Sequence, residues 1–350
     1  MKCDFMKGIQ ILGMGHALPV TSVTNEDMER IVDTSDEWIR SRSGIENRRI
    51  CTGEEELPQL AADASAEAIR KSGISPDEIG LVIVATCTSG FQVPSVGCMI
   101  QKRLGLPSGI PAFDINCACA GFIYGMQMVH ALLNQASFGG RPYALLVGAE
   151  RISDFIDYKD RSTCVLFGDG AGAAVIGMSE EKRFFCHTAA EGDEEALFVE
   201  NIEQTCGGKA AEEGETSQAA DEALEYEFTR EKCRVSRLHM DGRRVFRFAT
   251  AKLAEEISVL TELSGVEADE VDHIVCHQAN RRIIEHVRKK WKLPQEKFFM
   301  NLDRYGNTSA ASIPLVLYDM QEKGRIKPGD KVFCIGFGAG LTWGGAYLEF

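Results

Sequence analysis

Ser72-Gly-Ile-Ser-Pro-Asp-Glu-Ile-Gly-Leu-Val-Ile83 and Ser264-Gly-Val-Glu-Ala-Asp-Glu-Val-Asp-His-Ile-Val275 repeat one pattern at an offset of 192 residues. Ser, Gly, Asp and Glu stand at matching places, and aliphatic residues match between them. Each copy reads as a helix ending at glycine, an acid-bearing turn and a buried strand. Around the two copies, Leu81 to Thr86, Ala144 to Gly148, Gly172 to Gly177, His273 to Cys276 and Lys331 to Ile335 read as buried strands. Ala61 to Lys71, Gly121 to Asn134 and Arg281 to Lys290 carry helical spacing. This alternation is the α/β pattern. The repeat predicts two similar halves, 1–180 and 181–350, joined near Met178 to Arg183. No Pro/Gly/Ser-rich linker separates them, so they are expected to pack as one body.

A chain of 350 residues with 44% apolar content buries a large core and exceeds the size at which one core usually stops growing. The net charge of −14 argues against nucleic acid as the main ligand, because phosphate backbones need a basic surface. Eight acids and one lysine fall between Glu203 and Glu227, in a Gly/Ala/Ser/Thr/Glu-rich stretch without apolar period. That segment reads as an acidic surface insertion near 203–227. The twelve cysteines are scattered through apolar runs such as Val82 to Cys87 and Val332 to Ile335, which favours free buried thiols over a disulfide framework. No continuous apolar segment reaches membrane-spanning length and the first residues lack a signal-peptide core, so a soluble, cytoplasmic protein is expected.

Three small-residue segments carry chemistry. Cys119 lies in Ala118-Cys-Ala-Gly-Phe122, His277 in His277-Gln-Ala-Asn280 and Asn307 in Gly306-Asn-Thr-Ser309. Cys119 follows an extended segment and precedes a long amphipathic helix, where unpaired N–H groups and the helix dipole favour a thiolate. His277 follows an aliphatic strand, at the strand end where α/β proteins place chemistry, and is the repeat partner of Ala85. Imidazole and carboxamide can hold an oxyanion beside a thiolate nucleophile. Taken singly, Cys119 reads equally well as an inert buried thiol, His277 as a core histidine and Asn307 as a cap or turn residue. Cys117 competes with Cys119, but no second cysteine pair or histidine cluster completes a metal site. The runs Gly13-Met-Gly15 and Gly168 to Gly172 lack the features of nucleotide loops and read as tight turns.

Together with Thr34-Ser-Asp-Glu-Trp-Ile39, Phe167 to Ala174 and Gly336 to Gly344, these motifs occur in an order that resembles the 3-oxoacyl-[acyl-carrier-protein] synthase III family, over nearly the whole chain. The resemblance implies the thiolase-like fold, an α/β architecture with two pseudo-repeated halves in a five-layered αβαβα arrangement, assembled as a homodimer. It implies that acyl-CoA acylates Cys119, with the backbone N–H groups of Cys119 and Ala339 as oxyanion donors. Malonyl-acyl carrier protein then decarboxylates against His277 and Asn307 and condenses. No metal or redox cofactor is implied, coenzyme A entering as part of the substrate. By the same resemblance Trp38 and Arg161 sandwich the adenine, and Thr34, Arg42, Arg247 and Arg282 lie near the coenzyme A phosphates or the carrier entrance. Phe246 and Asn280 line the pantetheine tunnel. Val93, where many acetyl-selective members carry Phe, reaches the acyl pocket of the partner subunit.

The segment Arg281 to Lys292 combines an apolar stripe with six basic residues and one acid, a face suited to an acidic carrier protein. Lysine and arginine also simply favour a helix C-terminus. Two other enzymes share parts of the pattern: a condensing enzyme or acyltransferase of this fold in a specialised-metabolite pathway, and a papain-like hydrolase, whose cysteine signature is missing here. A noncatalytic chain-length subunit would ordinarily lack the cysteine.

Overall fold

The computed structural model describes residues 7–135, 138–205 and 232–350. Its strands, in chain order, are β1 (Gly8–Ala17), β2 (Ser22–Thr24), β3 (Asn47–Arg49), β4 (Ile79–Ala85), β5 (Ala112–Ile115), β6 (Tyr143–Glu150), β7 (Gly170–Ser179), β8 (Phe184–Asp193), β9 (Leu197–Thr205), β10 (Lys232–Met240), β11 (His273–Cys276), β12 (Lys331–Gly338) and β13 (Gly340–Glu349). One sheet runs β1-β7-β6-β4-β5 and a second runs β8-β13-β12-β11. In the first, β1/β7 and β7/β6 are antiparallel and β6/β4 is parallel. In the second, β8/β13 and β13/β12 are antiparallel and β12/β11 is parallel. The second sheet therefore repeats the first, short of one parallel edge strand.

The repeated sequence lies at the same place in both. The helices Leu57–Ser72 and Gly242–Ser264 end at Gly73 (φ 70°) and Gly265 (φ 66°), left-handed terminators that disfavour any side chain. Short acidic turns then lead into β4 and β11. Helices Leu57–Ser72 and Val96–Arg103 pack outside the first sheet, and Gly242–Ser264 and Arg281–Lys290 belong to the second. Between the sheets lie Gly121–Gln135 and Ser312–Glu322, which touch both. The result is five layers. The central helices bury Phe122, Ile123, Met126, Ile313, Val316 and Leu317 with Leu81, Ile83, Val332 and Cys334 of the two sheets in one core. Covered on both faces, β4 is buried at all seven positions and reads as a continuous apolar run.

The glycines expected to form tight turns serve another purpose. Gly13 and Gly15 lie within β1, and Gly170 and Gly172 within β7. A Cβ on Gly15 would sit 2.1 Å from the Ala64 carbonyl oxygen, and one on Gly13 2.4 Å from the Ser72 nitrogen. Their bare backbone lets the outer helix lie directly on the sheet.

β9 and β10 pair antiparallel from Leu197↔Met240 to Thr205↔Lys232. The acidic insertion expected near 203–227 begins inside β9, and from 206 onward lies outside the described residues. Cys51, Cys87, Cys98, Cys117, Cys119, Cys164, Cys186, Cys276 and Cys334 are free thiols.

The loop carrying Asn307 is seated on β6 by another bare position. A Cβ on Gly148 would meet the Ala310 carbonyl oxygen at 2.3 Å. Gly148→Ala should lower the unfolding free energy in urea by about 1–3 kcal/mol, because rigid backbone on both sides prevents relaxation. An unchanged midpoint would show that this contact is not required.

Candidate active site

Cys119 lies in the short turn Ala118–Ala120 that runs directly into the central helix Gly121–Gln135. Ala118 adopts φ 46°, which turns the chain sharply before the helix. The thiol faces the helix N-terminus, where N–H dipoles stabilise negative charge. Burial nevertheless pushes it up to about 12, with the Glu150 charge adding to the rise; the Ser309 hydroxyl and the residue's own N–H pull in the opposite direction. The resting group is a thiol. On the second sheet, a Cβ at Gly338 would lie 2.6 Å from the Cys119 nitrogen. That bare position lets the end of β12 approach the Cys119 amide, and Ala339 next to it lines the same cavity as Cys119.

His277 follows β11 and is buried, its backbone N–H donating to the Ile335 carbonyl at 2.8 Å. Nδ1 lies 2.6 Å from Ser312 Oγ, and the ring meets Phe337 edge-on at 5.3 Å. Ser312 Oγ also accepts the Gln278 N–H at 3.4 Å, and its own proton is available to donate to Nδ1. With Ser312 donating to Nδ1, the ring proton sits on Nε2, a buried atom with no hydrogen-bond partner. Burial depresses the imidazole to about 3, so it is neutral. A neutral Nε2–H is a donor awaiting an acceptor.

Asn307 is held by its backbone, whose N–H donates to the Leu166 carbonyl at 2.8 Å and whose carbonyl accepts the Gly168 N–H at 3.0 Å. Its Oδ1 accepts the Ser309 N–H at 2.9 Å, which leaves the carboxamide NH₂ as donor. Cys119, His277 and Asn307 all line one cavity of about 130 Å³, together with Phe246, Asn280 and Phe337. The three segments singled out by sequence meet there.

A larger cavity of about 730 Å³ lies outward and is lined by Trp38, Arg42, Phe246, Arg247, Asn280 and Arg282. It shares Leu166, Gly242, Phe246 and Asn280 with the inner cavity, so the two form one passage to Cys119. Arg161 stacks over Trp38 at 5.0 Å while donating to the Asp33 carbonyl, and Arg282 lies over Phe246 at 5.7 Å. Asn280 caps the helix Arg281–Lys290 and donates to the Arg42 carbonyl at 3.0 Å, so it fixes the wall of the passage. Thr34 is not among the residues lining it. That helix buries Ile283, Ile284 and Val287 and turns Arg281, Arg282, Lys289 and Lys290 outward.

Beyond Cys119 a third cavity of about 540 Å³ is lined by Phe91, Ile152, Phe155, Phe167, Leu197 and Leu238, among others. Val93 does not line it and is 82% exposed, at a cis bond to Pro94. From the loop that follows β4, Cys87, Thr88, Ser89, Gly90, Phe91 and Gln92 line this cavity.

Sequence reasoning passed over Glu150, Ser309 and Ser312. The serines lie within the Asn307 segment, and Glu150 is the acid that ends the apolar run of β6. Glu150 is fully buried and accepts from Thr88 Oγ1 (2.6 Å), Thr86 Oγ1 (3.2 Å), the Cys87 N–H (3.1 Å) and Ser309 Oγ (3.0 Å).

The buried state of His277 has a measurable consequence. Folded, the imidazole titrates at about 3; unfolded, near 6.5. Below the unfolded value the unfolded chain binds a proton that the native protein refuses, so this group's contribution to stability is lost as pH falls. The stability of His277→Gln relative to wild type should therefore rise by about 1.4 kcal/mol per pH unit well below that value, measured by urea unfolding. A pH-independent difference would contradict the assignment.

The chain was compared with known proteins. The family model described as 3-oxoacyl-[acyl-carrier-protein (ACP)] synthase III matches residues 113–193, and that of its C-terminal part matches 261–350. The beta-ketoacyl-[acyl-carrier-protein] synthase III of Clostridium tetani is 39% identical over 343 residues, 98% of each chain. That of Clostridium botulinum is 41% identical over 344 residues, covering 98% of this chain and 99% of its own. Among solved structures, the 3-oxoacyl-[acyl-carrier-protein] synthase III of Aquifex aeolicus superposes with TM-score 0.83 at 39% identity, over 98% of this chain and all of its own. The priming beta-ketosynthase of the R1128 polyketide pathway gives TM-score 0.83 at 31% identity, over 100% and 98%. Near 40% identity across almost the full length, on a fold in which the cysteine, histidine and asparagine converge, this chain belongs to the 3-oxoacyl-[acyl-carrier-protein] synthase III family.

Proposed function

We propose that this chain is the initiating condensing enzyme of type II fatty acid synthesis, an acyltransferase that joins an acyl group from acyl-CoA to malonyl-acyl carrier protein. The observation that carries the reading is the position of Cys119 between a passage with an arginine-bearing mouth and a separate apolar cavity. A thioester carried on a long phosphorylated arm fits the first, and its acyl chain fits the second.

In the first half-reaction the Cys119 thiolate attacks the thioester carbonyl. The N–H groups of Cys119 and Ala339 receive the developing oxyanion, and the coenzyme A thiolate leaves. Trp38 and Arg161 stack on the adenine, while Arg42, Arg247 and Arg282 meet phosphate; Thr34 belongs with this outer group. In the second half-reaction malonyl-acyl carrier protein uses the same passage. His277 Nε2–H and the Asn307 NH₂ donate to its thioester oxygen, the bond to the carboxylate breaks, and its electron pair passes into an enolate that these donors stabilise. The enolate carbon attacks the acyl-cysteine carbonyl and releases 3-oxoacyl-acyl carrier protein. The outward basic face of Arg281–Lys290 steers the acidic carrier.

The homodimer belongs to the same proposal, with the exposed Val93 loop reaching the partner's acyl cavity. So do a join of the halves near Met178 to Arg183, where β7 gives way to β8, and a cytoplasmic location. Among the described residues no helix is long and apolar enough to cross a membrane. The size of the acyl cavity favours a second destination as well, priming of a specialised-metabolite pathway with a longer or branched acyl group.

Intact mass after incubation with acyl-CoA tests the core of the reading. Wild type and Cys117→Ser should gain one acyl mass, discharged by malonyl-acyl carrier protein, and Cys119→Ser should gain none. An adduct mapping to Cys117 would refute the nucleophile. His277→Ala and Asn307→Ala should still be acylated yet release CO₂ roughly 10²–10³-fold more slowly; equal loss of both half-reactions would contradict their role. Val93→Phe should shift preference toward acetyl-CoA in competition with branched acyl-CoA, and an unaltered ratio would remove Val93 from the pocket wall.

A further inference from the structure

Cys119 must lose a proton before it attacks, and its surroundings leave few places for that proton. His277 cannot take it. Its Nδ1 lone pair is engaged by Ser312 and its Nε2 already bears hydrogen. Glu150 is a different matter. It is a fully buried carboxylate to which, among the described residues, no lysine or arginine is hydrogen-bonded or ion-paired. Its Oε2 accepts from Thr86, Thr88 and the Cys87 N–H, which fixes the group rigidly. Its Oε1 faces Ser309 Oγ at 3.0 Å, and the Cys87 thiol, whose proton burial and the Glu150 charge hold in place, lies 3.5 Å from both carboxylate oxygens. Ser309 lines the same cavity as Cys119 and is held at φ 49°, and its hydroxyl favours the charged form of the Cys119 thiol. An unpaired buried carboxylate is unfavourable unless neutralised, and here a mobile proton lies one hydroxyl away.

We propose that Glu150 withdraws the Cys119 proton through the Ser309 hydroxyl and stores it while the acyl-enzyme exists. The S–H bond breaks and its proton joins Ser309 Oγ, whose own proton passes to Glu150 Oε1. The sulfur electron pair forms the bond to the thioester carbonyl carbon, and the departing coenzyme A thiolate is protonated by solvent. When condensation releases the Cys119 thiolate, the stored proton returns by the same route. Burial, which raises the affinity of Glu150 for a proton, suits this role. The inference rests on the reading of Cys119 as the acyl acceptor, and makes Glu150 a positioning and proton-holding residue acting through Ser309.

Alkylation of Cys119 by iodoacetamide, mapped by peptide mass across about pH 6–9, separates the two ideas because it needs neither acyl-CoA nor carrier protein. Wild type should react at a nearly level rate. Glu150→Gln and Ser309→Ala should be about 100-fold slower at neutral pH and accelerate about tenfold per pH unit, as hydroxide replaces the internal base. A uniformly slower rate with a level profile would indicate packing alone and overturn the relay, as would a wild-type rate in either variant. Should Glu150→Gln fail to fold, Ser309→Ala decides by the same slope. A wild-type adduct confined to Cys117 would overturn the nucleophile itself, whereas failure of the relay leaves the adduct at Cys119.

Discussion

The space between Gly338 and the Cys119 amide admits no side chain, and a matching contact closes the other side of the molecule. Gly338 ends β12 and approaches the turn before the helix Gly121–Gln135; Gly148 in β6 approaches Ala310, in the turn before the helix Ser312–Glu322. The two turns are copies. Ala118 and Ser309 stand 191 residues apart and both adopt left-handed φ, 46° and 49°. Each half therefore holds the other's turn against a bare strand position. Because the backbones fit so closely, the central helices lie at one depth and Cys119 faces His277 and Asn307 across the join. One half alone could not form the site.

The chemistry breaks this pseudo-symmetry. At the repeat offsets, Cys119 corresponds to Ala310 and His277 to Ala85, so thiol and imidazole each have an alanine at the matching place in the other copy. Glu150, at the end of β6, corresponds to Gly338 at the end of β12. A carboxylate on one side and an empty position on the other distinguish the two halves of the same architecture, and the proposed roles of proton holder and oxyanion site draw on that difference.

Much of this was legible in the chain because it is local. The twelve-residue repeat contains its own helix terminator and the start of its own strand, and Gly73 and Gly265 both end helices as read. The boundaries of Arg281–Lys290 and His273–Cys276 agree with expectation for the same reason: an apolar period runs between a capping Asn280 and a basic last turn in the helix. What was misread depends on contacts across the sheet. Gly13 and Gly15 resemble turn residues until the helix that lies on them is known. Glu150 ends an apolar run, which looks like ordinary strand termination unless Ser309, 159 residues later, is seen to meet it. Ser312 likewise gains meaning only when β11 brings His277 to it.

Charge is distributed so that each step meets the groups it requires. Arginines line the outer mouth, where water keeps ionised groups inexpensive and they can guide a phosphorylated arm. Farther in, the passage narrows to Phe246, Phe337 and neutral donors. A protonated imidazole there would bind the malonyl carboxylate itself and resist its departure, whereas a neutral Nε2–H donates to an oxygen only as charge gathers on it. In the proposed mechanism, burial of His277, which costs the protein stability in acid, is thus the condition that lets decarboxylation proceed toward, and not against, the field of the site.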